Sequence, residues 1–518
     1  MLILQLIADK GGSNNALTVV ATFLILLVAS LFIILVYRLW FHPLAKIPGP
    51  KYLAACDIFC QWRTSIRLDM AKYAVDLHRK YGPIVRVGPN RLIVEGQIAW
   101  PQIWGIRSSG TSEFGKVPGY TFPNDHNALV GASWENHRRQ RRHMSPAFSI
   151  AALHEQEHII NQYIDKTINK LTILAKAGGT VNIVDWINYT TFDTIGDLCF
   201  ADGFNSLDGD TSYVHNFFRG LKGSSYRRFL WHYPLLKWPM ILILGSKEFA
   251  AGQEAGINNL RLGQLKAKAR IALGAEPKDG RRDITTYLLR KGRNGERILN
   301  DFEIQSLCSI LVVAGSETTG TALVGIVYLL CRYPDKMEAL TKEICAAFTN
   351  KDQINITNAG RLEYLNGVIE EALRMYPPAA TITPRVSPGA KVEGHWLPRG
   401  TLIHFYAQAT NRNQHNFTDP DSFQPERWLS PNHPRYNPRF AHDRKEVMKP
   451  FSFGVRDCPG KNLAYADMRV IISRLLYHFE IELLPGQEDW INGQKGSLVM
   501  FKPGVDVRLK LRPEVSLD

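Results

Sequence analysis

Ten residues near the C-terminus, Phe451-Ser-Phe-Gly-Val-Arg-Asp-Cys-Pro-Gly460, restrict what this chain can fold into more than any other segment. A thiolate at Cys458 is a soft, strongly donating ligand that suits iron. Gly454 and Gly460 lack Cβ atoms, so the backbone on either side of the cysteine can approach a flat partner closely. Arg456 offers a permanent, forked charge for a carboxylate. Phe451 offers an apolar cover over the sulfur, and such burial tunes an iron–thiolate bond. A cysteine alone would read as a small buried core residue; with these four neighbours it reads as a metal-ligating loop.

A second segment sets the context. Leu17 to Tyr37 runs without a charge, close to the ~20 apolar residues that a membrane-spanning helix needs and longer than the apolar stretch of a cleavable signal. Arg38, Lys46 and Lys51 follow it, whereas Asp9 and Lys10 before it cancel; the positive-inside rule then places the bulk of the chain in the cytosol. His42-Pro43 to Pro48-Gly49-Pro50 reads as a stiff hinge. The expected organisation is a short lumenal N-terminus (1–16), a transmembrane anchor (17–37), a proline-rich hinge (38–51) and one globular unit (52–518). The globular unit can bury a sizeable core, since 45% of the 518 residues are hydrophobic and 21% charged. The net charge of +14 admits nucleic acid, an anionic membrane or an acidic protein as partner. No zinc-finger spacing or RNA-binding aromatic signature accompanies it, which argues against nucleic acid. Seven scattered cysteines without a CxxC pair read as reduced thiols.

Lys80 to Val94 reads as two short strands joined by a Gly-Pro-Asn turn. Helical patterning dominates from about 134 to 380. Ser306 to Leu330 is apolar almost all round and should be buried, yet it contains Gly315, Ser316, Glu317, Thr318 and Thr319, which are costly inside a helix core. Hydroxyls there can bond back to the carbonyl four residues earlier and bend the helix. Glu371 and Arg374 form an i,i+3 pair, with Glu370 a rival partner for Arg374 at i,i+4. Trp134 to Phe148 is strongly basic. Tyr213 to Leu244 mixes aromatics with Arg and Lys, which suits either a core helix pair or a membrane interface.

Ala314-Gly-Ser-Glu-Thr-Thr319, Glu371-Ala-Leu-Arg374, Phe423-Gln-Pro-Glu-Arg-Trp428 and the Cys458 string, in this order, resemble the motifs of the cytochrome P-450 superfamily of haem-thiolate monooxygenases. Ile47-Pro-Gly-Pro50, Tyr81-Gly-Pro-Ile-Val-Arg86 and Phe192-Asp-Thr-Ile-Gly-Asp197 are similar to the fungal microsomal type of secondary metabolism, that of isotrichodermin C-15 hydroxylase. The resemblance implies a mainly α fold with small β-sheets, the cytochrome P-450 fold, behind one N-terminal transmembrane helix. It implies heme b (iron protoporphyrin IX) with Cys458 as axial thiolate and metal ligand, bound also by Arg456, Phe451, Gly454 and Gly460. Thr318 and Glu317 would be the catalytic pair that relays protons, and Glu371, Arg374 and Arg427 a buried structural network. The family's W-x-x-x-R propionate motif has two registers here: Trp134 with Arg138 matches the letters, His137 with Arg141 the spacing to Ser145-Pro-Ala-Phe148. Arg385 resembles a further propionate position. The implied activity inserts one oxygen atom of O2 into an apolar terpenoid, polyketide or alkaloid. Electrons would come from NADPH–cytochrome P-450 reductase, with cytochrome b5 as an optional second donor, at the endoplasmic reticulum membrane. Pocket candidates are 114–130, 217–244, 379–383 and 498–500.

Two short motifs are set aside. His154-Glu-Gln-Glu-His158 spells HExxH but has no third ligand at a recognised spacing. Gly454 to Lys461 vaguely resembles a phosphate loop, but Asn462 stands where the magnesium-binding hydroxyl belongs. Two rivals stand beside the main reading: a haem-thiolate isomerase that takes no reductase electrons, and a non-catalytic haem carrier. The Glu317–Thr318 pair argues against the first.

Overall fold

The computed structural model describes residues 12–107, 112–117, 129–244, 246–277, 280–496 and 498–512. Helix α1 (Gly12–Val36) runs into a π-helical turn, Tyr37–Phe41. Together Ala16–Phe41 form an apolar helix of mean hydropathy 3.2, none of it buried in the protein. Asp301–Arg332 is also long and apolar, but 72% of its apolar window is covered by the rest of the fold, so it is a core helix.

The hinge after α1 is docked rather than free. Leu44 and Ile47 are buried, and the Arg86 N–H donates to the Pro48 carbonyl at 2.7 Å. Gly49 is needed there, because a Cβ would lie 2.1 Å from the Arg86 carbonyl oxygen. The Arg86 guanidinium, itself buried, reaches back to the Arg38 carbonyl at 2.8 Å. The C-terminal end of the apolar helix is thereby stitched to the first sheet.

That sheet has the order β1-β2-β8-β5-β3. The strands β1 (Ile84–Gly88) and β2 (Arg91–Val94) pair antiparallel as the sequence implies. β3 (Gly115–Lys116), β5 (Arg385–Val386) and β8 (Leu402–His404) come from distant parts of the chain. β4 (Thr180–Asn182), β9 (Phe479–Leu483) and β12 (Asp506–Leu511) make a second sheet; β6 (Ala390–Val392) and β7 (His395–Leu397), and β10 (Lys495–Gly496) and β11 (Met500–Phe501), are two-stranded.

The helical body comprises α2 (Trp134–Met144), α3 (Ile150–Lys176), α4 (Ile183–Phe200), α5 (Ser212–His232), α6 (Ser246–Ala272), α7 (Asp301–Arg332), α8 (Glu363–Met375) and α9 (Lys461–His478), with shorter helices between. Local chemistry sets their ends. Ser133, Ser149 and Asn182 cap α2, α3 and α4, and Asn300 with Glu303 forms a capping box at the start of α7. Pro334 begins the next helix just past α7. α7 is the axis of the core, packed by α4, α6, α8 and α9, with Leu323, Val324 and Ile326 fully buried.

The stretch 213–244 divides in two. Tyr213, Phe217 and Phe229 are core residues, whereas Trp231, Leu235, Trp238 and Leu242 are exposed. Phe229 packs on Trp62 with ring centroids 5.7 Å apart, and the Arg38 side chain bonds the Ala55 carbonyl. The exposed aromatics therefore lie toward the end of the globule from which α1 departs. Of the pocket candidate 114–130, residues 118–128 lie outside the described residues; Phe114 is buried in the small core under the first sheet.

Candidate functional site

The Cys458 loop is built by the chain folding back on itself. The Cys458 N–H donates to the Phe451 carbonyl at 2.9 Å and the Asp457 N–H to the Gly454 carbonyl at 3.1 Å. Gly454 sits at φ +81°, and a Cβ there would meet the Trp104 carbonyl oxygen at 2.2 Å. The glycine is therefore required by the turn and by a neighbouring strand of chain. At Gly460 an added Cβ would make ordinary contacts, with Cys458 Sγ and Phe148 both at 4.0 Å, so crowding within the chain does not demand this glycine, and its bare backbone lies beside the sulfur. Phe451 leans on the Tyr465 ring at 5.0 Å.

Burial pushes the Cys458 thiol up, while the Gly460 N–H and the Arg141 charge favour the thiolate. Cys458 also precedes the N-terminus of α9, whose dipole favours a thiolate. The other buried thiols are core residues. Cys308 contacts Thr285 Oγ1 at 3.3 Å and the Cys199 carbonyl at 3.8 Å, and burial pushes Cys60 up to about 11 and Cys331 up to about 12.

Five basic side chains converge beside this loop. Arg385 is buried with Nε and Nη1 lacking any hydrogen-bond partner among the described residues. Arg456 has an unpartnered Nη1 as well, and its Nε lies 3.4 Å from Glu113. Lys116 is driven down to about 7 by burial and then by Arg456 and Arg385, against the pull of Glu113. His137 is driven down to about 3 by burial and then by Arg456, Lys116, Arg141 and Arg385. Two of the five are engaged within the protein: Lys116 Nζ donates to the Val130 carbonyl at 2.8 Å, and the Arg141 guanidinium bonds the Asp457 carbonyl and carboxylate, each at 2.7 Å.

The basic run thus resolves by helix phase: His137 is buried toward the loop, while Arg138 and Arg142 are exposed. Trp134, on the rim, lies 5.5 Å under the Arg456 guanidinium. Lys116 was missed by sequence reasoning, because one lysine in a short strand carries no local signal.

On α7 the Thr318 hydroxyl donates to the Ala314 carbonyl and the Ser316 hydroxyl to the Val312 carbonyl, the back-bonding that the sequence implies. Glu317 behaves differently from the expected acid–alcohol pair. It is fully buried, and its Oε1 accepts from Lys502 Nζ at 2.7 Å and from Thr321 Oγ1 at 3.0 Å rather than from Thr318. Burial raises its carboxyl above the usual range, and Lys502 opposes the rise. Sequence reasoning missed Lys502, which arrives from 185 residues away.

The third constellation is closed. Glu371 takes both Arg374 nitrogens at 2.9 and 2.7 Å, Arg427 Nε at 3.0 Å, the Trp428 indole N–H at 2.9 Å and the Gln424 N–H at 2.9 Å. Arg374 also donates to the Asn411, Pro420 and Ser422 carbonyls, and Arg427 to Asp443 and the Thr418 carbonyl. Burial works against ionisation of Glu371, but Arg374 and Arg427 outweigh it and hold the carboxyl below its usual value. Glu370 instead accepts from the Tyr465 hydroxyl. In the HExxH segment, Glu155 accepts from Tyr287 and His158 contacts the Glu155 carbonyl.

The cluster beside Cys458 fits a haem. Buried guanidinium nitrogens without partners are costly unless an anion meets them; two propionates supply such anions, and the bare backbone of Gly460 beside the sulfur lets a flat ring approach closely.

Comparison with known proteins agrees. The family model "Cytochrome P450" matches residues 48–509. The chain is 37% identical to Trichothecene C-15 hydroxylase of Fusarium sporotrichioides, covering 93% of this chain and 96% of that protein. It is 36% identical to Cytochrome P450 monooxygenase astJ of Aspergillus oryzae (92% and 94%) and 35% identical to Cytochrome P450 monooxygenase dtxS2 of Metarhizium robertsii (92% and 91%). With haem-binding chemistry at the loop and a match across almost the whole globule, the chain belongs to the cytochrome P450 family, oxygen-incorporating oxidoreductases that carry haem on a cysteine thiolate.

Proposed function

We propose that this haem monooxygenase acts on an apolar secondary metabolite of terpenoid, polyketide or alkaloid type, with electrons from NADPH–cytochrome P-450 reductase and cytochrome b5 as an optional second donor. The observation that carries the site assignment is the set of unpartnered buried guanidinium nitrogens on Arg385 and Arg456 beside the Cys458 loop. In this reading Cys458 holds the iron, and Arg385, Arg456, His137 and Lys116 meet the propionates. Arg141 acts mainly by fixing the loop through Asp457. Phe451, Gly454 and Gly460 shape the loop around the sulfur. When bound, the haem supplies the iron centre that activates dioxygen for transfer of one oxygen atom. The chain's own share is to exclude water, orient the substrate and move protons, with the Thr318 hydroxyl and the Glu317 carboxylate as the proton-handling groups on α7.

Glu371, Arg374 and Arg427 brace the core without touching substrate. Trichothecene, in the name of one relative, is said of that protein, and this chain's substrate class is drawn by likeness to it. The anchor is inserted in the endoplasmic reticulum membrane with residues 1–16 lumenal and the catalytic unit (52–518) cytosolic. The exposed Trp231, Leu235, Trp238 and Leu242 rest on the same membrane. The exposed Arg138 and Arg142 suit an acidic electron donor.

The test is the carbon monoxide difference spectrum of the reduced protein beside Cys458→Ser. A far-red-shifted Soret band that the variant loses is expected. A band that survives the substitution overturns Cys458 as ligand. NADPH-dependent oxygen consumption in the presence of the reductase separates the monooxygenase reading from an isomerase.

A further inference from the structure

Lys502 has no part in the assignments above, yet it is almost wholly buried against the helix that carries Thr318. It belongs to the segment that follows β11. Its ammonium bonds Glu317 Oε1 at 2.7 Å and Thr321 Oγ1 at 3.0 Å, and lies 5.0 Å over the Phe218 ring of α5. One ammonium thus joins α7, the C-terminal segment and α5.

We propose that Lys502 is a positioning residue for proton handling at Thr318: it keeps Glu317 ionised inside the core and holds its carboxylate on the Thr321 side of α7. The inference rests on the monooxygenase reading for its consequence, though not for its geometry. Consecutive residues on a helix diverge by about 100°, so Glu317 reaches Thr321 at i+4 and not Thr318, whose hydroxyl is turned to the Ala314 carbonyl. A carboxylate with no exposed surface is neutralised unless a cation meets it. The charged and titratable groups that act on it are Lys502 and, from the end of α8, Tyr376, whose hydroxyl donates to Gln494. Lys502 is the one cation among them.

Glu317 Oε2 is buried and has no hydrogen-bond partner among the described residues, so one oxygen is left free for a proton. The step is a bare proton transfer. A hydronium relayed through water gives its proton to Oε2, one of its O–H bonds breaking as an O–H bond forms on the carboxylate and leaving neutral water; the Oε2–H bond then breaks as an O–H bond forms on a water hydrogen-bonded to the Thr318 hydroxyl, which regenerates the carboxylate. Lys502 keeps its three protons throughout, and no electrons move.

The experiment compares wild type, Lys502→Met, Lys502→Arg, Glu317→Gln and the double variant Lys502→Met/Glu317→Gln, each first checked for the carbon monoxide band. Infrared difference spectra at neutral pH are expected to show a protonated carboxyl band in Lys502→Met that is absent from wild type, Lys502→Arg and the double variant. The pH profile of peroxide release during NADPH oxidation with the reductase should move upward by about one unit or more in Lys502→Met, a tenfold change in proton concentration, and return in Lys502→Arg. Identical carboxyl spectra in wild type and Lys502→Met, or superimposable pH profiles, overturn the proposal. If Lys502→Met fails to hold haem, recovery of the band in the double variant supports the pairing, and no recovery overturns it. The infrared readout needs no turnover, so it can fail independently of the monooxygenase reading, whose own failure is a wild type without the thiolate-type band.

Discussion

The molecule buries two clusters of arginine, one around Glu371 and one beside the Cys458 loop, and they are finished differently. Around Glu371 every guanidinium nitrogen of Arg374 and Arg427 that is described donates to a carboxylate or a carbonyl. Around Arg385 and Arg456 the guanidinium groups are just as enclosed but keep unpartnered nitrogens, and their only facing acid is the half-exposed Glu113 among the described residues. A closed network serves the fold, while an open one is poised for an anion that the chain does not itself supply. The electrostatics agree. In the closed network the carboxyl is held low by its arginines. In the open one, burial and then mutual repulsion push Arg385 down to about 10 and Lys116 down to about 7.

The sharpest way to break this comparison is to open the closed cluster. Glu371→Ala leaves the buried Arg374 without a carboxylate and Arg427 with Asp443 alone, and it is expected to cost about 3–5 kcal/mol of unfolding free energy, read from urea unfolding of the detergent-solubilised protein. Arg385→Met should do the opposite kind of damage. Haem-free protein is expected to unfold at nearly the same urea concentration as wild type, while the haem dissociates faster by roughly tenfold or more, as the loss of about 1.5–3 kcal/mol of charged hydrogen bonding implies. Haem transfer to a scavenging apoprotein measures it; equal loss of stability in both forms would make the two clusters alike.

The smallest effect is in pH. Glu371, held low, contributes stability above its unfolded value near 4.5 that is lost as pH falls through its folded value. His137, held near 3 against an ordinary 6.5, stays neutral in the fold while the unfolded chain takes up a proton, so haem-free protein should lose stability as pH falls from 6.5 toward 3. His137→Gln should flatten that part of the curve and leave the Glu371 part untouched, which urea midpoints across the pH range would read.

Much of this was legible in the chain. The anchor, the first hairpin, the buried helix and the Cys458 loop are local patterns, and each appears where the periodicity or the motif places it. The aromatic stretch was half legible: its mixture of rings and cations is one pattern, but Phe229 is core and Trp231, two residues on, is exposed. The partner of Arg374 was open between Glu370 and Glu371, because both spacings allow a helical pair. Tyr465 decided it by claiming Glu370 from α9.

By itself, the sequence determined the family, the cysteine loop, the brace motif and the apolar N-terminal helix, because each depends on residues close together in the chain. The tertiary structure alone decided that His137 and not Arg138 faces the loop, that Arg141 is held by Asp457, that Lys116 joins the cations and that Lys502 claims Glu317. The physical reason is the same in each case. Charge partners in a core are chosen by burial and by chain segments that meet across hundreds of residues, and neither leaves a mark in local spacing.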